Sequence, residues 1–264
     1  EEFSKKFKNR FFDVGIAEQH GVTFAAGLAS AGFIPVIPLY SSFLQRAYDQ
    51  TLHDVCLQNL HVVFPIDRAG IVGADGETHQ GIYDISYLSH MPNMSILSPS
   101  SFRELDDMLD YAVNTHKGPL AIRSPRGGVQ YDGYFPFEFG RAVNIKDGTD
   151  ISVIASGRMV SRACEVSEKT DKSCEIIALP TIKPMDEAAI IKTAMKTKNI
   201  ITIEDNTEPG GMGAMIAAVL EKHGISCKFK IFAFPNEIIP QGTINELDSR
   251  FGLSVDEIVK YIEK

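Results

Sequence analysis

Short apolar runs separated by helix-like segments limit the fold more than any other feature of this sequence. Continuous runs of this kind are typical of strands in a parallel sheet that helices cover on both faces. The runs cover residues 34–39, 62–66, 95–97, 120–123, 151–155, 175–179, 200–203 and 228–232. The spacing between them predicts helices over residues 18–30, 43–57, 101–115, 160–169, 187–196, 213–222 and 254–262. This succession predicts an α/β fold.

A break in the pattern divides the chain. Residues 127–140 contain glycines, a proline and several aromatic residues without helical spacing. We therefore predict two domains, each a mainly parallel sheet flanked by helices, over residues 1–128 and 141–264, with a linker over residues 129–140. The length of 264 residues suits two domains of ordinary size.

The overall composition argues against several classes of protein. A net charge of -8 disfavours nucleic acid as a general partner, because phosphate backbones are bound by basic surfaces. The sequence has no apolar run of membrane-spanning length, and its first residues contain no signal-peptide hydrophobic region. The four cysteines form no C-x-x-C pair. We therefore expect a reduced, cytoplasmic protein without membrane association.

A glycine-rich polar loop over residues 68–81 predicts a ligand site. Its sequence is Arg-Ala-Gly-Ile-Val-Gly-Ala-Asp-Gly-Glu-Thr-His-Gln-Gly, which is too polar and too rich in glycine for a core. Loops of this kind on a rigid scaffold commonly carry ligand-binding groups. A simpler interpretation stays open, in which Asp75 and Gly76 form a tight turn and His79 is an ordinary loop histidine.

Glu18 places a carboxylate among the apolar residues of a predicted helix. It shares one helical face with Val22, Ala25 and Ala29. A carboxyl group removed from water without a charge partner favours its protonated form, which can hydrogen-bond a ring nitrogen of a heterocycle. The alternative is an acid that stabilises the helix dipole by about 0.3–1 kcal/mol.

Four long motifs carry a resemblance to a known enzyme family. They cover residues 10–20 (Arg-Phe-Phe-Asp-Val-Gly-Ile-Ala-Glu-Gln-His), residues 40–50 (Tyr-Ser-Ser-Phe-Leu-Gln-Arg-Ala-Tyr-Asp-Gln), residues 66–81, and residues 123–127 (Arg-Ser-Pro-Arg-Gly). Together they resemble the 1-deoxy-D-xylulose-5-phosphate synthase family of transketolase-like thiamine diphosphate enzymes. Transketolase and the beta chains of 2-oxo-acid dehydrogenases share the architecture but not the amino-acid sequences of these motifs. The resemblance implies a pyrimidine-binding domain followed by a transketolase C-terminal-like domain.

The resemblance also implies an activity and its cofactors. The family consists of transferases that condense pyruvate with D-glyceraldehyde 3-phosphate, release CO2 and form a precursor of isoprenoids, thiamine and pyridoxal. Thiamine diphosphate and Mg2+ are the implied cofactors. A homodimer is the implied assembly.

The resemblance assigns roles to individual residues. Glu18 corresponds to the catalytic acid that contacts the aminopyrimidine of the cofactor, and Phe43 to the aromatic residue that stacks on the same ring. Tyr40, Arg68 and Arg126 correspond to residues that hold the substrate phosphate, for which a guanidinium group is well suited.

Further residues are assigned to the acceptor substrate. Arg46 borders the implied pocket, while Asp75 and His79 face the hydroxyl and carbonyl of the acceptor. His79 is the second implied catalytic residue, since histidine can relay a proton near neutral pH. Without the motifs, an ordinary core residue would be the favoured interpretation of Phe43, and a surface or salt-bridge residue that of each arginine. His53 is predicted to be structural, and the role of His20 is left open.

Part of the family's active site is not found in this sequence. The Gly-Asp-Gly motif and downstream Asn that bind the diphosphate and magnesium are missing, and the segment around Asn206 matches a turn of the C-terminal domain instead. We therefore expect no metal ligand here and assign the diphosphate and metal sites to a missing N-terminal domain. The pyrimidine-binding domain is also expected to lack its usual first strand and helix. On its own, the chain is predicted to be inactive.

Two other functions stay open. The first is the C-terminal chain of a split transketolase, which would use a ketose phosphate donor in place of pyruvate. The second is a noncatalytic module that makes dimer contacts. In that case Glu18 and residues 75–79 would be replaceable without effect on cofactor binding.

Overall fold

The computed structural model describes residues 2–128 and 131–264, which form two five-stranded sheets flanked by helices. The strands are β1 (Leu39–Tyr40), β2 (Val63–Ala69), β3 (Ser95–Leu97), β4 (Leu120–Pro125), β5 (Val143–Lys146), β6 (Ile151–Ala155), β7 (Cys174–Ala178), β8 (Thr181–Lys183), β9 (Asn199–Thr207) and β10 (Lys228–Phe234). The predicted α/β fold is confirmed.

The helices differ widely in length and regularity. They are α1 (Glu2–Lys6), α2 (Glu18–Ser30), α3 (Ser41–Leu44), α4 (Tyr48–Gln50), α5 (Asp84–Ser89), α6 (Phe102–Asn114), α7 (Met159–Lys169), α8 (Glu187–Thr197), α9 (Met212–Lys222), α10 (Ile244–Arg250) and α11 (Val255–Ile262). The predicted helix over residues 43–57 is a succession of α3, a 3₁₀ turn, α4 and a π-helical turn at Thr51–Cys56. Within the described residues, no helix is both long and apolar enough to cross a membrane.

Both sheets are mainly parallel. The first has the order β1-β2-β4-β3-β8, and the second has the order β10-β9-β6-β7-β5. In each sheet one edge strand is antiparallel to its neighbour, namely β8 beside β3 and β5 beside β7. Helices cover both faces. In β2, for example, Phe64 and Ile66 enter one core cluster while Val63 enters another, as expected for a parallel strand buried on both sides.

Strand β8 belongs to the second half of the sequence but completes the first sheet. Thr181 pairs with Leu97 and Lys183 with Ile96. The Lys183 ammonium group also donates a hydrogen bond of 2.5 Å to the carbonyl oxygen of Met91. Backbone pairing therefore joins a segment from the second half of the sequence to the first sheet. The domain boundaries stay predictions, and residues 129–130 of the predicted linker lie outside the described residues.

Several short elements differ from the sequence prediction. The run over residues 34–39 forms an isolated bridge between Val36 and Val63 followed by the two residues of β1. Pro35 and Pro38 lack a backbone N–H, which limits regular pairing there. The pattern also missed α1, α5, α10, β5 and β8, all of seven residues or fewer. Elements this short give little periodic signal.

A buried chain of alternating aspartates and arginines links the two sheets, and we call it the interdomain ion-pair chain. In order of contact its members are Asp84, Arg123, Asp205, Arg158, Asp248 and Arg162. Successive nitrogen–oxygen distances are 3.0, 3.4, 2.9, 3.3 and 2.6 Å. Burial disfavours the charged form of Arg123, yet the carboxylates of Asp84 and Asp205 raise its pKa. Each buried charge therefore has an opposite partner, which offsets its desolvation.

We expect the variant Asp84→Ala to lose about 3–5 kcal/mol of unfolding free energy, because it leaves the guanidinium group of Arg123 buried beside one carboxylate fewer. Urea unfolding measures the loss. The matched control is Asp256→Ala, which breaks a pair with Lys169 whose side chains are 85% and 57% exposed. This control should have little effect. Equal losses for the two variants would contradict the structural role of the chain.

We expect His116 to make the stability depend on pH. Burial, together with the nearby His61, lowers the pKa of His116 from 6.5 to about 4. The unfolded chain therefore binds this proton more readily between those values, and stability present above pH 6.5 falls as the pH falls toward 4. The variant His116→Phe should reduce the loss of unfolding free energy between about pH 7 and 4.5 by about 2 kcal/mol. An unchanged pH dependence in urea unfolding would contradict this.

Candidate active site

Glu18 lies buried at the first residue of α2. Its side chain is 7% exposed, and its Oε2 lies 3.4 Å from Nη1 of Arg46. The expectation of a carboxyl group without a charge partner is therefore wrong, because Arg46 supplies a cation from the 3₁₀ turn after α3. Arg46 itself is 54% exposed. The carboxylate of Glu18 is thus largely shielded from water and lies beside a solvent-accessible guanidinium group.

Aromatic rings continue the site beyond Arg46. The guanidinium carbon of Arg46 lies 5.4 Å from the ring centroid of Phe43. Phe43 stacks on Tyr40 at 5.4 Å and meets the imidazole of His79 edge-on at 5.2 Å. Phe43 is half-buried. The interpretation of Phe43 as an ordinary core residue is therefore disfavoured, since its ring lies among polar and charged candidate site residues.

The backbone bends at Arg68, within β2. Its φ is 57°, in the left-handed region that residues other than glycine seldom adopt. The register between β2 and β4 shifts at the same place, between Asp67 and Ala69. Strained backbone of this kind is enriched at functional sites. The bend places the Arg68 guanidinium over the ring of Tyr40, 4.1 Å from its centroid.

Asp75 lies between two of the candidate arginines. Its Oδ2 is 2.7 Å from Nη1 of Arg68, and its Oδ1 is 3.1 Å from Nη1 of Arg126. Arg126 also donates a hydrogen bond of 2.8 Å to the carbonyl oxygen of Val72. The side chains of Arg68 and Arg126 remain 29% and 40% exposed. Two guanidinium groups against one carboxylate leave a net positive charge that solvent and anions can reach.

The structure brings all eight candidate residues into one network of contacts. Ion pairs, ring contacts and cation–π contacts connect them in the order Glu18, Arg46, Phe43, Tyr40, Arg68, Asp75 and Arg126, and His79 joins through its contact with Phe43. Tyr40 ends β1, Arg68 lies near the end of β2, and Arg126 follows β4. These three strands are neighbours in the first sheet. The network therefore lies at the carboxyl edge of a parallel sheet, where α/β folds bind ligands.

The remaining histidines of the sequence prediction lie outside this network. His53 is 70% exposed and 2.9 Å from Oδ1 of Asp54, a hydrogen bond that raises the pKa of His53. His20 is exposed and stacks on Phe24 at 6.1 Å. Neither geometry assigns a chemical role, so the structural role of His53 stays a prediction.

Sequence reasoning missed one residue of the polar loop and one residue that contacts it. Gln80 is 3% exposed, and its side chain bonds the backbone of Val72 and Pro240. Gln241 donates to the carbonyl oxygen of Ala74. For Gln241 no local signal was available, because its partner lies 167 residues away in the sequence. For Gln80 the signal was its place inside the polar loop.

Family models match both halves of the chain. The pyrimidine-binding domain of transketolase matches residues 1–130, and the C-terminal domain of transketolase matches residues 140–258. The chain belongs to the transketolase family. The two matched segments agree with the order of domains implied by the sequence motifs.

Curated relatives of this transketolase-family chain are synthases. It is 47% identical over 268 residues to 1-deoxy-D-xylulose-5-phosphate synthase of Clostridium tetani, covering 100% of this chain and 43% of the relative. It is 46% identical to the synthase of Natranaerobius thermophilus, covering 98% of this chain and 42% of the relative. The resemblance drawn from the motifs is confirmed. The chain spans less than half the length of these relatives.

Solved structures of transketolases share the fold of this family member. A split-gene transketolase described as an inactive β4 tetramer has a TM-score of 0.89 and 27% identity, over 99% of this chain and 85% of that chain. A transketolase from Campylobacter jejuni has a TM-score of 0.78 and 22% identity, over 96% of this chain and 39% of that chain. The second likeness concerns the fold alone.

Proposed function

We propose that this chain is part of a thiamine diphosphate-dependent transferase that condenses pyruvate with D-glyceraldehyde 3-phosphate. The product is 1-deoxy-D-xylulose 5-phosphate, a precursor of isoprenoids, thiamine and pyridoxal, and CO2 is released. The observation that carries the proposal is the single contact network that joins a buried carboxylate, an aromatic ring and an arginine pair at one sheet edge. The identity of 43–47% to synthases over the length of this chain supports it.

The residues of the network fit the pyrimidine half of thiamine diphosphate. Glu18 offers a shielded carboxyl group to a ring nitrogen, and Phe43 offers a half-buried aromatic face. When bound, the cofactor supplies a thiazolium carbon that becomes the nucleophile toward a keto group. Glu18 would hold and exchange a proton with the pyrimidine. The diphosphate and Mg2+ are assigned to a domain outside this chain.

The arginine pair fits the phosphate of the aldehyde. Arg68 and Arg126 present accessible guanidinium groups, and the ring of Tyr40 lies against the guanidinium group of Arg68, so we assign its hydroxyl to the same phosphate. Asp75 holds both guanidinium groups in place before substrate arrives, so a phosphate would exchange with or share these contacts. Asp75 would then turn toward the hydroxyl groups of the acceptor.

We assign His79 to the reacting end of the acceptor. Its ring contacts Phe43 edge-on, while its Nδ1 lies 2.8 Å from the hydroxyl oxygen of Thr78. The Thr78 contact orients the ring and leaves Nε2 for a substrate oxygen. A proton relay at the acceptor carbonyl is the role we assign to His79.

We expect Glu18→Gln to reduce the rate of pyruvate consumption by about 10²–10⁴-fold, because the amide cannot exchange a proton with the pyrimidine. The rate is measured in the enzyme that contains the diphosphate-binding domain, with thiamine diphosphate and Mg2+ present. The control is Glu221→Gln on the exposed face of α9, which should retain full activity. Retention of activity in Glu18→Gln would contradict the role of this carboxylate.

We expect Arg126→Ala to raise the KM for D-glyceraldehyde 3-phosphate about 10–100-fold, as for the loss of a charged hydrogen bond. The KM for pyruvate should stay within about twofold. Arg126→Lys keeps the positive charge but loses the planar guanidinium donors, so its KM for D-glyceraldehyde 3-phosphate should lie between those of Arg126→Ala and the wild type. The control is Arg141→Ala, whose side chain is 61% exposed. Equal increases for both substrates would argue against phosphate binding.

The alternative is one chain of a split transketolase, favoured by the solved chain that this one covers to 85%. Substrate choice separates the two functions. Consumption of pyruvate by the assembled enzyme supports the synthase, whereas transfer from a ketose phosphate without pyruvate use supports the alternative. In both cases we infer that the chain requires a diphosphate-binding domain and that the assembled enzyme is a homodimer. Robust turnover by this chain alone would contradict that inference.

A further inference from the structure

The polar loop over residues 68–81 is closed near its base by two glycines. Gly70 and Gly81 exchange backbone hydrogen bonds of 2.7 and 2.8 Å. A Cβ at Gly70 would overlap with Oδ2 of Asp205, and a Cβ at Gly81 would overlap with the carbonyl oxygen of Arg68. The base of the loop is therefore packed directly against the interdomain ion-pair chain. Beyond this base, the conformation of the loop depends on the contacts that the loop residues make with the rest of the protein.

Those contacts come largely from the C-terminal half of the chain. The amide of Gln80 accepts a hydrogen bond of 2.9 Å from the backbone nitrogen of Val72 and donates one of 3.1 Å to the carbonyl oxygen of Pro240. One buried side chain thus ties the two arms of the loop to each other and to the segment after β10. Ile71 and Ile82, at the two ends of the loop, pack in the core cluster of the second sheet together with Ile239.

The next residue of that segment makes a second tie. Gln241 donates a hydrogen bond of 3.0 Å to the carbonyl oxygen of Ala74, the residue before Asp75. Gly73 has a φ of 61°, and a Cβ there would lie 3.0 Å from the carbonyl oxygen of Gly242. Residues 240–242 therefore lie close to the backbone of the loop.

These ties determine where the arginine pair lies. Arg126 contacts the loop twice, at the carbonyl oxygen of Val72 and at Asp75, and Arg68 contacts it at Asp75. Val72 is the residue that Gln80 holds, and Ala74 beside Asp75 is the residue that Gln241 holds. A shift of the loop away from residues 240–242 would move both anchor points of Arg126.

We propose that Gln80 and Gln241 are positioning residues through which the C-terminal domain sets the geometry of the phosphate-binding arginines. The inference rests on the proposed function, because it assigns the arginine pair to a phosphorylated aldehyde. Neither glutamine touches the substrate. Their effect is exerted on the affinity for the phosphorylated acceptor through the loop backbone and Asp75.

The test is Gln241→Ala in the enzyme assembled with its diphosphate-binding domain. The KM for D-glyceraldehyde 3-phosphate should rise about fivefold, as for one neutral hydrogen bond, while kcat and the KM for pyruvate stay within about twofold. Gln241→Glu keeps the length but removes the donor, and should behave like Gln241→Ala. The matched control is Asn236→Ala, an exposed amide of the same segment, which should leave all constants unchanged.

Hydrogen–deuterium exchange supplies a readout that does not depend on activity. Amides of residues 72–80 should exchange faster in Gln241→Ala and in Gln80→Glu, which loses its donor to Pro240, and should be unchanged in Asn236→Ala. Wild-type kinetics and wild-type exchange in the Gln241 variants would overturn the inference while the synthase activity stands. Absence of pyruvate use by the wild-type enzyme would instead overturn the proposed function. An equal rise in both KM values would also overturn the positioning role.

Discussion

The interdomain ion-pair chain is the constraint on which the rest of this structure depends. Six charges, four of them buried and two partly exposed, alternate in sign from Asp84 beside the first sheet to Arg162 beside the second. Isolated charges would oppose burial strongly, and pairing offsets that cost. The pair of Arg123 and Asp205 joins the two halves, while the other pairs lie within one half. Arg123 contributes from β4 and Asp205 from β9, and their contact fixes how the two carboxyl edges of the sheets face each other.

The candidate site inherits its shape from that boundary. Asp205 packs against Gly70 at the start of the polar loop, and Arg123 lies three residues before Arg126 in the chain. The same pairing that joins the sheets therefore places both the loop and the arginine strand. The catalytic side of the network, around Glu18 and Phe43, depends instead on α2 and the helical turns after β1. The side of the site around Glu18 and Phe43 thus depends on elements of the first half alone. The side formed by the polar loop and the arginines depends on contacts from both halves.

Local patterns in the sequence predicted local structure well. The helix at Glu18–Ser30 has the predicted bounds, and the polar loop with its acid and histidine was visible as a non-core segment. What could not be predicted depends on distant residues. Arg123 and Asp205 are 82 residues apart, and neither is distinguished by its neighbours in sequence. The partner of Glu18 was misjudged for the same reason: Arg46, 28 residues on, had been selected as a pocket residue, but a contact between them has no periodic signature. The roles assigned to the site residues came from the family resemblance and remain predictions.

Strand β8 has a mechanical consequence. A segment of the second half is hydrogen-bonded to the edge of the first sheet beside β3. A hinge motion between the two halves would therefore have to break the backbone hydrogen bonds between β8 and β3. Clam-shell opening, which many two-domain enzymes use to admit ligands, is therefore resisted twice, by backbone pairing and by charge pairing. Access to the carboxylate and the arginines must come from side-chain and loop displacement, or from separation at a surface shared with another domain. The pairing of β8 with β3 and the ion pair of Arg123 with Asp205 thus favour ligand entry at the rim of the site over separation of the two sheets.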